Sequence, residues 1–427
     1  MASRLRRNLF AALDIGSSKV CCFIGLADDN GRLRIAGIGH VIAQGMKAGS
    51  VVNLDAVENS VLNAVHAAEQ MAGETIRSVY VNVSCGQPHS LHLDVDLPMH
   101  GQAVRDIDVQ KLLAKSQDSY AQMTHTQNTA NDNVLDRHLL HAIPVGYSLD
   151  GSRGIRDPRG MFGQQLGASV HMISAQNGAL RNLGHAVQRA HLDVDDLVLT
   201  PYASGLACLV EDELDLGCTL IDLGGGTTSI GVFFDGNLLF SDIVPIGGQH
   251  ITNDIARGLS TPLQQAERLK TLHGSALYSQ ADDDDLLNVP LVGEADDEAA
   301  PNHVPRAQLN RIIQPRAEEI LETVRQRLAE AGVDKIAGQR VVLTGGGSQL
   351  SNIRELAMQV LQKNVRLGRP IRLAGLADAA GGPAFSVAAG LLHYALRGRN
   401  EGGGSKSSTG KAGNWLGRMK QWMDEIL

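Results

Sequence analysis

The sequence contains an internal repeat, and this repeat constrains the fold more than any other feature. The segment FAALDIGSSKVCCFIGLA, residues 10–27, aligns with CTLIDLGGGTTSIGVFFDG, residues 218–236, when Asp14 is placed over Asp222. In both copies an apolar run ends in Asp, a turn of Gly with Ser or Thr follows, and a second apolar run begins. This pattern predicts a strand, a tight turn and a second strand. Two such hairpins, one in each half of the chain, predict two similar lobes.

The turns of both hairpins suit a polyphosphate ligand. Glycine lets backbone N–H groups approach phosphate oxygens closely, and Ser and Thr hydroxyls add further donors. The Asp that ends each first strand would face the same cleft, where Asp14 and Asp222 could hold Mg²⁺ through its water ligands. A simple hairpin turn with an Asp cap is the alternative, and it explains one copy better than two. The candidate turn residues are Gly16, Ser17 and Ser18 in the first hairpin and Gly224, Gly225, Gly226, Thr227 and Thr228 in the second.

A third glycine cluster lies downstream and consists of Gly345, Gly346 and Gly347. A buried strand predicted over 341–343 leads into it, and a helix with apolar spacing follows, so a flat base could rest on its backbone. Upstream, Glu267 and Lys270 are three residues apart on one face of a predicted helix, within reach of ribose hydroxyls or an adenine edge. A solvated surface ion pair is the more common explanation for such a pair.

The composition is that of a soluble globular protein with several domains. The chain has 427 residues, of which 43% are hydrophobic and 20% charged, a length that corresponds to roughly three domains. A net charge of -8 provides no basic field, so no nucleic-acid partner is expected. The five cysteines have no CxxC spacing, and no apolar run is long enough for a signal peptide or a spanning helix. These features predict a cytoplasmic protein.

The C-terminal part of the chain differs in character from the rest. Residues 398–413, GRNEGGGSKSSTGKAG, have no apolar pattern and are predicted to form a flexible tether. Residues 414–427 then follow the spacing of an amphipathic helix. Its apolar stripe consists of Trp415, Leu416, Met419, Trp422, Met423, Ile426 and Leu427.

This amphipathic segment is predicted to lie in the plane of a membrane surface. Both tryptophans of the chain are in it, and Trp favours the interface, where its ring is apolar and its N–H stays hydrated. Docking on the globular part of the chain or on a partner protein is the usual role of such a helix, but the long tether argues against docking within the chain. A single short helix binds reversibly, and polymerisation would raise its avidity.

The repeated motifs carry a family resemblance. DIGSSKV, IDLGGGTTSI and VLTGGGSQL resemble the first phosphate, second phosphate and adenosine motifs of the actin/Hsp70/sugar-kinase superfamily. Further stretches, at 142–166, 244–259 and 312–320 together with AERLK, resemble the FtsA family of actin-like bacterial cell-division proteins. The likeness covers nearly the whole chain.

The resemblance implies an α/β, ribonuclease H-like, actin/Hsp70-like fold with two lobes. In it a subdomain 1C (SHS2-like) takes the place of subdomain 1B of actin, but lies on the opposite side of its lobe. It also implies that segments 202–207 and 386–390 are connecting helices, whose small residues let the lobes pack and hinge. The implied subdomains are 1A (1–85 and 167–205), 1C (86–166), 2A (206–246 and 312–397) and 2B (247–311), followed by the tether (398–413) and the membrane helix (414–427).

The resemblance further implies ATP and Mg²⁺ as cofactors. It places Lys19 on the first phosphate hairpin, Glu267 and Lys270 by the ribose or base, and Ser348 with the third glycine cluster beside adenine. Alternation along the second strand would equally allow Lys19 to point at solvent, and the residues do not decide between the two. No residue is assigned as a catalytic base, so the chain is expected to be a nucleotide switch and scaffold, not an enzyme, with slow ATP hydrolysis left open.

The resemblance also implies the partners. The chain would form filaments of itself on the cytoplasmic face of the bacterial inner membrane at the division site, and 2B would hold the C-terminal peptide of FtsZ, the tubulin-like division GTPase. Arg306 and Arg311 could meet acidic groups of such a peptide, or they could be ordinary surface arginines. The acidic stretch at 282–298 is predicted to be a solvated loop.

Three other functions use the same superfold. A small-molecule kinase would need a carboxylate base aimed at a bound hydroxyl, and no separate motif supplies one. An Hsp70-like chaperone would carry a C-terminal peptide-binding domain where this chain has the tether and helix. A pilus-assembly actin-like membrane scaffold shares the fold and a 1C-type insertion, but the Trp-rich tail points away from it.

Overall fold

The structure, a computed structural model of the chain, describes residues 8–28, 31–130, 136–293, 302–371, 373–376 and 380–402. The predicted membrane helix (414–427) lies outside the described residues, as does most of the predicted tether. Among the helices that the structure describes, none combines the length and the apolar composition needed to cross a bilayer.

The described chain alternates between strands and helices. In chain order the strands are β1 (Leu9–Ile15), β2 (Lys19–Ala27), β3 (Leu33–Ile42), β4 (Met46–Lys47), β5 (Ser50–Val51), β6 (Ser78–Val83), β7 (His89–Pro98), β8 (Arg137–Leu149), β9 (Ser152–Ile155), β10 (Gln165–Gln176), β11 (Asp193–Leu199), β12 (Cys218–Leu223), β13 (Thr228–Phe234), β14 (Asn237–Val244), β15 (Leu286–Asn288), β16 (His303–Pro305), β17 (Arg340–Thr344) and β18 (Asn364–Leu367). The α-helices are α1 (Leu54–Ala72), α2 (Asp106–Ala130), α3 (Asn177–Arg189), α4 (Thr200–Cys208), α5 (Glu211–Leu216), α6 (Gly248–Gly258), α7 (Leu263–His273), α8 (Arg306–Glu330), α9 (Ile353–Leu361) and α10 (Ser386–Gly402).

Two five-stranded sheets form the centres of two lobes. The first has the order β3-β2-β1-β6-β11 and the second the order β14-β13-β12-β17-β18. In both, three antiparallel strands are followed by two parallel ones. Asp14 lies opposite Cys21 and Asp222 lies opposite Ser229, so the two hairpins also share their register. The predicted repeat is confirmed in topology and in register.

The hairpin strands are central because their sequences are apolar on both faces. All six residues of β12 are buried, as are the last five of β1. Strands covered by helices on both sides read as continuous apolar runs instead of alternating ones. The first lobe packs α1, α3, α4 and α10 around its sheet, and the second packs α6 to α9 around its own. Each hairpin is thereby fixed within a rigid core.

A third sheet, of order β7-β10-β8-β9, interrupts the first lobe between β6 and α3. Together with α2 it forms a unit with its own small core, which includes Leu112, Leu166 and Met172. We call residues 86–176 the insert. Its three long strands, β7, β10 and β8, are antiparallel and share no pairing with either lobe sheet, so the insert is a separate layer and not an extension of a lobe.

Four predicted boundaries fall inside continuous elements, and the first, between 1A and 2A at 205–206, lies within α4. The end of 1C at 166 lies within β10, which runs on to Gln176. The boundary of 2B at 311 lies within α8. The first residues of the predicted tether, 398–402, are still part of α10. Polar residues such as Arg, Asn and Glu are compatible with a helix, so loss of apolar periodicity does not mark where a helix ends.

Helices α4 and α10 cross in close contact in the core of the first lobe. Gly390 of α10 lies directly on the backbone of Ala203 in α4, so closely that a Cβ atom at position 390 would overlap the Ala203 carbonyl. The prediction that segments 202–207 and 386–390 are helices packed through small residues is confirmed.

We expect Gly390→Ala to destabilise the protein by on the order of 1–3 kcal/mol, because the two helices must separate to admit the methyl group. Gly398→Ala is the matched control: it lies in the same helix, and no atom of the described residues beyond its own helix turn lies within 4 Å of its would-be Cβ. That change should be neutral or stabilising by up to about 1 kcal/mol, since alanine favours a helix over glycine. Urea unfolding of both variants measures the difference, and equal stabilities would refute the close crossing.

Candidate functional site

A cavity of about 360 Å³ lies between the lobes, where the two hairpins meet. It is lined by residues from three separate glycine-rich turns and from α7. Its volume is in the range of small-ligand sites. Of the predicted site residues, those that line it are Asp14, Gly16, Ser17, Ser18, Lys19, Asp222, Gly224, Gly225, Gly226, Thr227, Glu267, Lys270, Gly345, Gly346 and Gly347.

Two of the predicted residues do not line this cavity. Thr228 is the first residue of β13 and fully buried, and its hydroxyl donates to the Ile246 carbonyl at 2.7 Å. Ser348 is also buried, and its hydroxyl donates to the Gly345 carbonyl at 2.7 Å. Both hydroxyls therefore stabilise the backbone of the glycine-rich turns on the side away from the cavity. A hydroxyl next to a glycine turn satisfies the backbone as readily as it satisfies a ligand.

The two hairpins touch each other across the cleft. Gly225 lies against the Ser18 side chain and Gly226 against Ser17, and a Cβ atom at either glycine would overlap the serine. The side-chain amide of Gln249, at the start of α6, donates to the Ser17 carbonyl at 2.9 Å. The glycines are thus needed for lobe contact as well as for access to a ligand.

Lys19 points into the cavity. Its ammonium nitrogen lies 3.8 Å from the Asp14 carboxylate and 4.1 Å from the centre of the Phe385 ring, and it donates to the Ala384 carbonyl. The structure therefore resolves the alternatives that the sequence left open for this side chain. A positive charge lies beside the first hairpin, where an anionic ligand would lie.

Asp14 and Asp222 are both buried at the bottom of the cavity. Burial raises the pKa of Asp14, and the nearby Lys19 charge partly offsets this. Burial, followed by the negative charge of Asp14, raises the pKa of Asp222 to about 7. One carboxylate oxygen of Asp222 is buried and has no hydrogen-bond partner among the residues that the structure describes. Two adjacent carboxylates with an unsatisfied oxygen fit a hard cation or its water ligands.

Glu267 and Lys270 form a pair at the side of the cavity. Lys270 Nζ donates to Glu267 at 2.6 Å, to the Thr252 hydroxyl at 2.8 Å and to the Gly248 carbonyl at 3.2 Å. An ammonium group has three donors, so all of them are used within the protein. Glu267 receives both this bond and one from Thr252 through the same oxygen, Oε2. Lys270 therefore positions Glu267, whose carboxylate is the group suited to accept ligand hydroxyls.

A polar cluster that the motifs did not predict lies on the first-lobe side of the cavity. The Asn82 side chain accepts from the Ile15 N–H at 2.7 Å and donates to Thr200 Oγ1 at 3.3 Å. Ser84 Oγ lies 2.7 Å from the same Thr200 hydroxyl, and all three residues line the cavity. They follow or end the parallel strands β6 and β11, and the carboxyl ends of parallel strands are where α/β sheets bind ligands. That rule is the signal that could have found them.

Comparison with known proteins agrees with this geometry. The family model "Cell division protein FtsA" matches residues 219–390, and "SHS2 domain inserted in FTSA" matches residues 86–174, most of the insert. The cell division protein FtsA of Rhizobium meliloti is 47% identical over 434 residues, which cover 98% of this chain and 95% of the relative. The chain belongs to the FtsA family. The FtsA of Pseudomonas aeruginosa is 34% identical, with 99% of each chain covered.

Solved structures place the FtsA-family chain in the actin-like fold. The PilM–PilN type IV pilus biogenesis complex has a TM-score of 0.61 at 18% identity and covers 91% of this chain and 98% of its own. MreB5 of Spiroplasma citri bound to ADP has a TM-score of 0.51 at 11% identity, covering 93% and 99%. These likenesses confirm the predicted two-lobe α/β fold.

We expect Gly225→Ala to destabilise the protein by on the order of 1–3 kcal/mol, because the methyl group must displace Ser18 and separate the hairpins. Gly346→Ala is a matched control within the same cavity, where the nearest atom to a Cβ is 3.9 Å away. Unfolding by urea without added ligand measures both variants. If Gly225→Ala lowers the free energy of unfolding no more than Gly346→Ala does, the two hairpin turns are not in close contact.

We expect Asp222→Asn to stabilise the ligand-free protein at neutral pH. The pKa of Asp222 is raised from 3.8 to about 7, so its contribution to the free energy of unfolding falls as pH rises from near 3.8 to about 7 and then stays level. The advantage of Asn should therefore increase between pH 5 and pH 8, by up to about 3 kcal/mol. Unfolding at both pH values tests this against Asp94→Asn, an exposed control. If the stability advantage of Asp222→Asn did not increase between pH 5 and pH 8 beyond that of the control, burial would not destabilise the charged Asp222 carboxylate.

Proposed function

We propose that the chain binds ATP with Mg²⁺ in the cavity between the lobes, and uses the nucleotide as a switch for assembly on a membrane. The observation that carries this proposal is the pair of matching hairpins that face each other with buried aspartates at their bases. In support, two solved structures with this fold are of Spiroplasma citri MreB5, one bound to ADP and the other to AMPPNP.

The residues have distinct roles in this proposal. Backbone N–H groups of the two hairpin turns bind the phosphates, and Lys19 adds a positive charge. Glu267 accepts from the ribose hydroxyls, held in place by Lys270. The backbone of 345–347 supports the base. Mg²⁺, when bound, would neutralise phosphate charge and would be held by Asp14 and Asp222 through water.

We propose a switch and not a small-molecule kinase. The carboxylates that line the cavity are Asp14, Asp222 and Glu267. The first two suit a cation and the third suits a ribose, so among the described residues that line the cavity no carboxylate remains to accept a proton from a second substrate. Binding energy that spans both lobes would favour the closed arrangement of the cleft. Slow hydrolysis would reset the switch.

We propose that the closed form polymerises on the cytoplasmic face of the inner membrane at the division site, and tethers FtsZ filaments there. Membership of the FtsA family supports this role. The membrane contact is assigned to the stripe that runs from Trp415 to Leu427, which lies outside the described residues. Filaments would array many weak anchors and raise their avidity.

The FtsZ contact is assigned to residues 247–311, the predicted 2B. Within it, Arg306 lies 3.6 Å from Asp285, and Arg311 stacks on Tyr278 at 4.6 Å. Arg311 also lies 3.6 Å from Asp283. These arginines are engaged by the chain's own acidic residues, which favours their role as ordinary surface arginines. A peptide would have to displace those partners to use them.

A second candidate is a membrane scaffold for pilus assembly. The TM-score of 0.61 with the PilM–PilN complex favours it at the level of fold. Identity of 47% to a division protein favours the first proposal more strongly.

The membrane proposal is tested by co-sedimentation with vesicles of phosphatidylethanolamine and phosphatidylglycerol, with and without ATP and Mg²⁺. We expect the intact chain to pellet with vesicles, and ATP to increase the pelleted fraction. A chain truncated after Gly413 and the variant Trp415→Glu/Trp422→Glu should both stay in the supernatant, because an apolar face is lost or charged. Gln421→Glu, on the polar side of the same helix, is the control and should still pellet.

Equal pelleting of the truncated chain with vesicles would refute the membrane role of the helix. Absence of any ATP effect, with no ATP binding by calorimetry, would refute the switch.

A further inference from the structure

The insert is fastened to the edge of the second lobe. Strand β14 is the edge strand of the second sheet, and its open side faces β7, β8 and β10 of the insert. An open strand edge presents unpaired backbone groups that need partners. We call the latch the contacts that join Ser90, His92 and His171 of the insert to the backbone of residues 238–241 in β14.

Side chains of the insert make the latch with backbone groups of β14. The Ser241 N–H donates to Ser90 Oγ at 3.0 Å, and Ser90 Oγ lies 2.8 Å from the Ser241 carbonyl. His92 Nε2 lies 2.7 Å from the Leu239 carbonyl, to which it donates. Ser90 and His92 are two apart on β7, so both face β14.

His171 of β10 completes the latch from a buried position. Its Nδ1 donates to the Leu238 carbonyl at 2.8 Å, and its Nε2 lies 2.9 Å from Ser90 Oγ. Burial lowers the pKa of His171 to about 3, so the ring is neutral near pH 7. The ring of His92 stacks on it, with centroids 5.0 Å apart. The latch is therefore a fixed hydrogen-bonded contact at neutral pH.

The other end of β14 leads directly into the cavity. After Val244 the chain passes behind the second hairpin, where the Ile246 carbonyl accepts from Thr228 at 2.7 Å. The Gly248 N–H then donates to the Gly224 carbonyl at 2.9 Å. The next residue, Gln249, reaches across to the first hairpin. One continuous segment, 238–249, thus joins the insert, both hairpins and the start of α6.

We propose that segment 238–249 couples the nucleotide cleft to the insert, so that closure of the cleft and formation of the latch stabilise each other. This inference rests on the proposed nucleotide site. The latch and the contact between the hairpins occur together in this structure, and in the proposed coupling the latch favours the closed cleft. Coupling of this kind is reciprocal: the latch strengthens nucleotide binding, and the nucleotide strengthens the latch. The insert would then differ in mobility between the empty and occupied protein.

The test compares ATP binding and hydrogen exchange in the full chain with Ser90→Ala/His92→Ala. Ser90 is half-buried and His92 is exposed. The single variant His92→Ala is included in case the double variant does not fold. The matched control is Ser152→Ala/His66→Ala, which changes exposed residues away from the latch. Calorimetry with ATP and Mg²⁺ gives the affinity, and exchange is followed for peptides that cover β7 and β14.

We expect the double variant to bind ATP about fivefold or more weakly than wild type, with a smaller loss in His92→Ala and none in the control. In wild type, ATP should slow exchange at β14 and at β7, although β7 lies outside the cavity. Unchanged affinity in a folded latch variant, with no effect of ATP on β7 in wild type, would overturn the coupling and leave the nucleotide site intact. Failure of wild type to bind ATP would overturn both.

Discussion

The contact between the two hairpin turns is the interaction on which the rest of the structure depends. Gly225 and Gly226 of the second lobe pack on Ser18 and Ser17 of the first. Each turn is rigid because it connects two strands of a five-stranded sheet. Each sheet is held in place by the hydrophobic core of its own lobe. Two rigid bodies that touch at this point enclose a cavity between them, and the charged groups of both lobes are then forced to share it.

This sharing explains the electrostatics of the site. Asp14 and Asp222 occupy equivalent positions in the repeat, so closing the lobes brings two carboxylates together in a buried place. Burial, followed by the negative charge of Asp14, raises the pKa of Asp222 to about 7. Without a ligand the protein carries this repulsion and one unsatisfied oxygen. A site that is costly when empty gives a cation or a polyphosphate with its counter-ion more to gain on binding.

Much of this arrangement could be predicted from the sequence, because a repeat of strand, turn and strand fixes two lobes and their facing turns. The glycines and aspartates of the cavity were found in this way. The motifs did not show that the Thr228 and Ser348 hydroxyls bond to backbone carbonyls, since a motif gives residue type but not the direction of a side chain. Asn82, Ser84 and Thr200 were missed because they come together only when β6 and β11, separated by the insert, pair in the sheet. The latch could not be predicted for the same reason: its residues come together only in the folded chain. In addition, β14 contributes backbone groups to it, which no sequence motif identifies.

The crossing of α10 over α4 has a consequence for synthesis of the chain. The sheet of the first lobe is made early, yet α10, which covers it beside β1, β2 and β6, follows the entire second lobe in sequence. Leu391 and Leu392 of α10 are fully buried in that core. A nascent chain therefore leaves an apolar face of the first sheet uncovered while the second lobe is translated. The first lobe is the earlier one to emerge from the ribosome and the later one to complete its core.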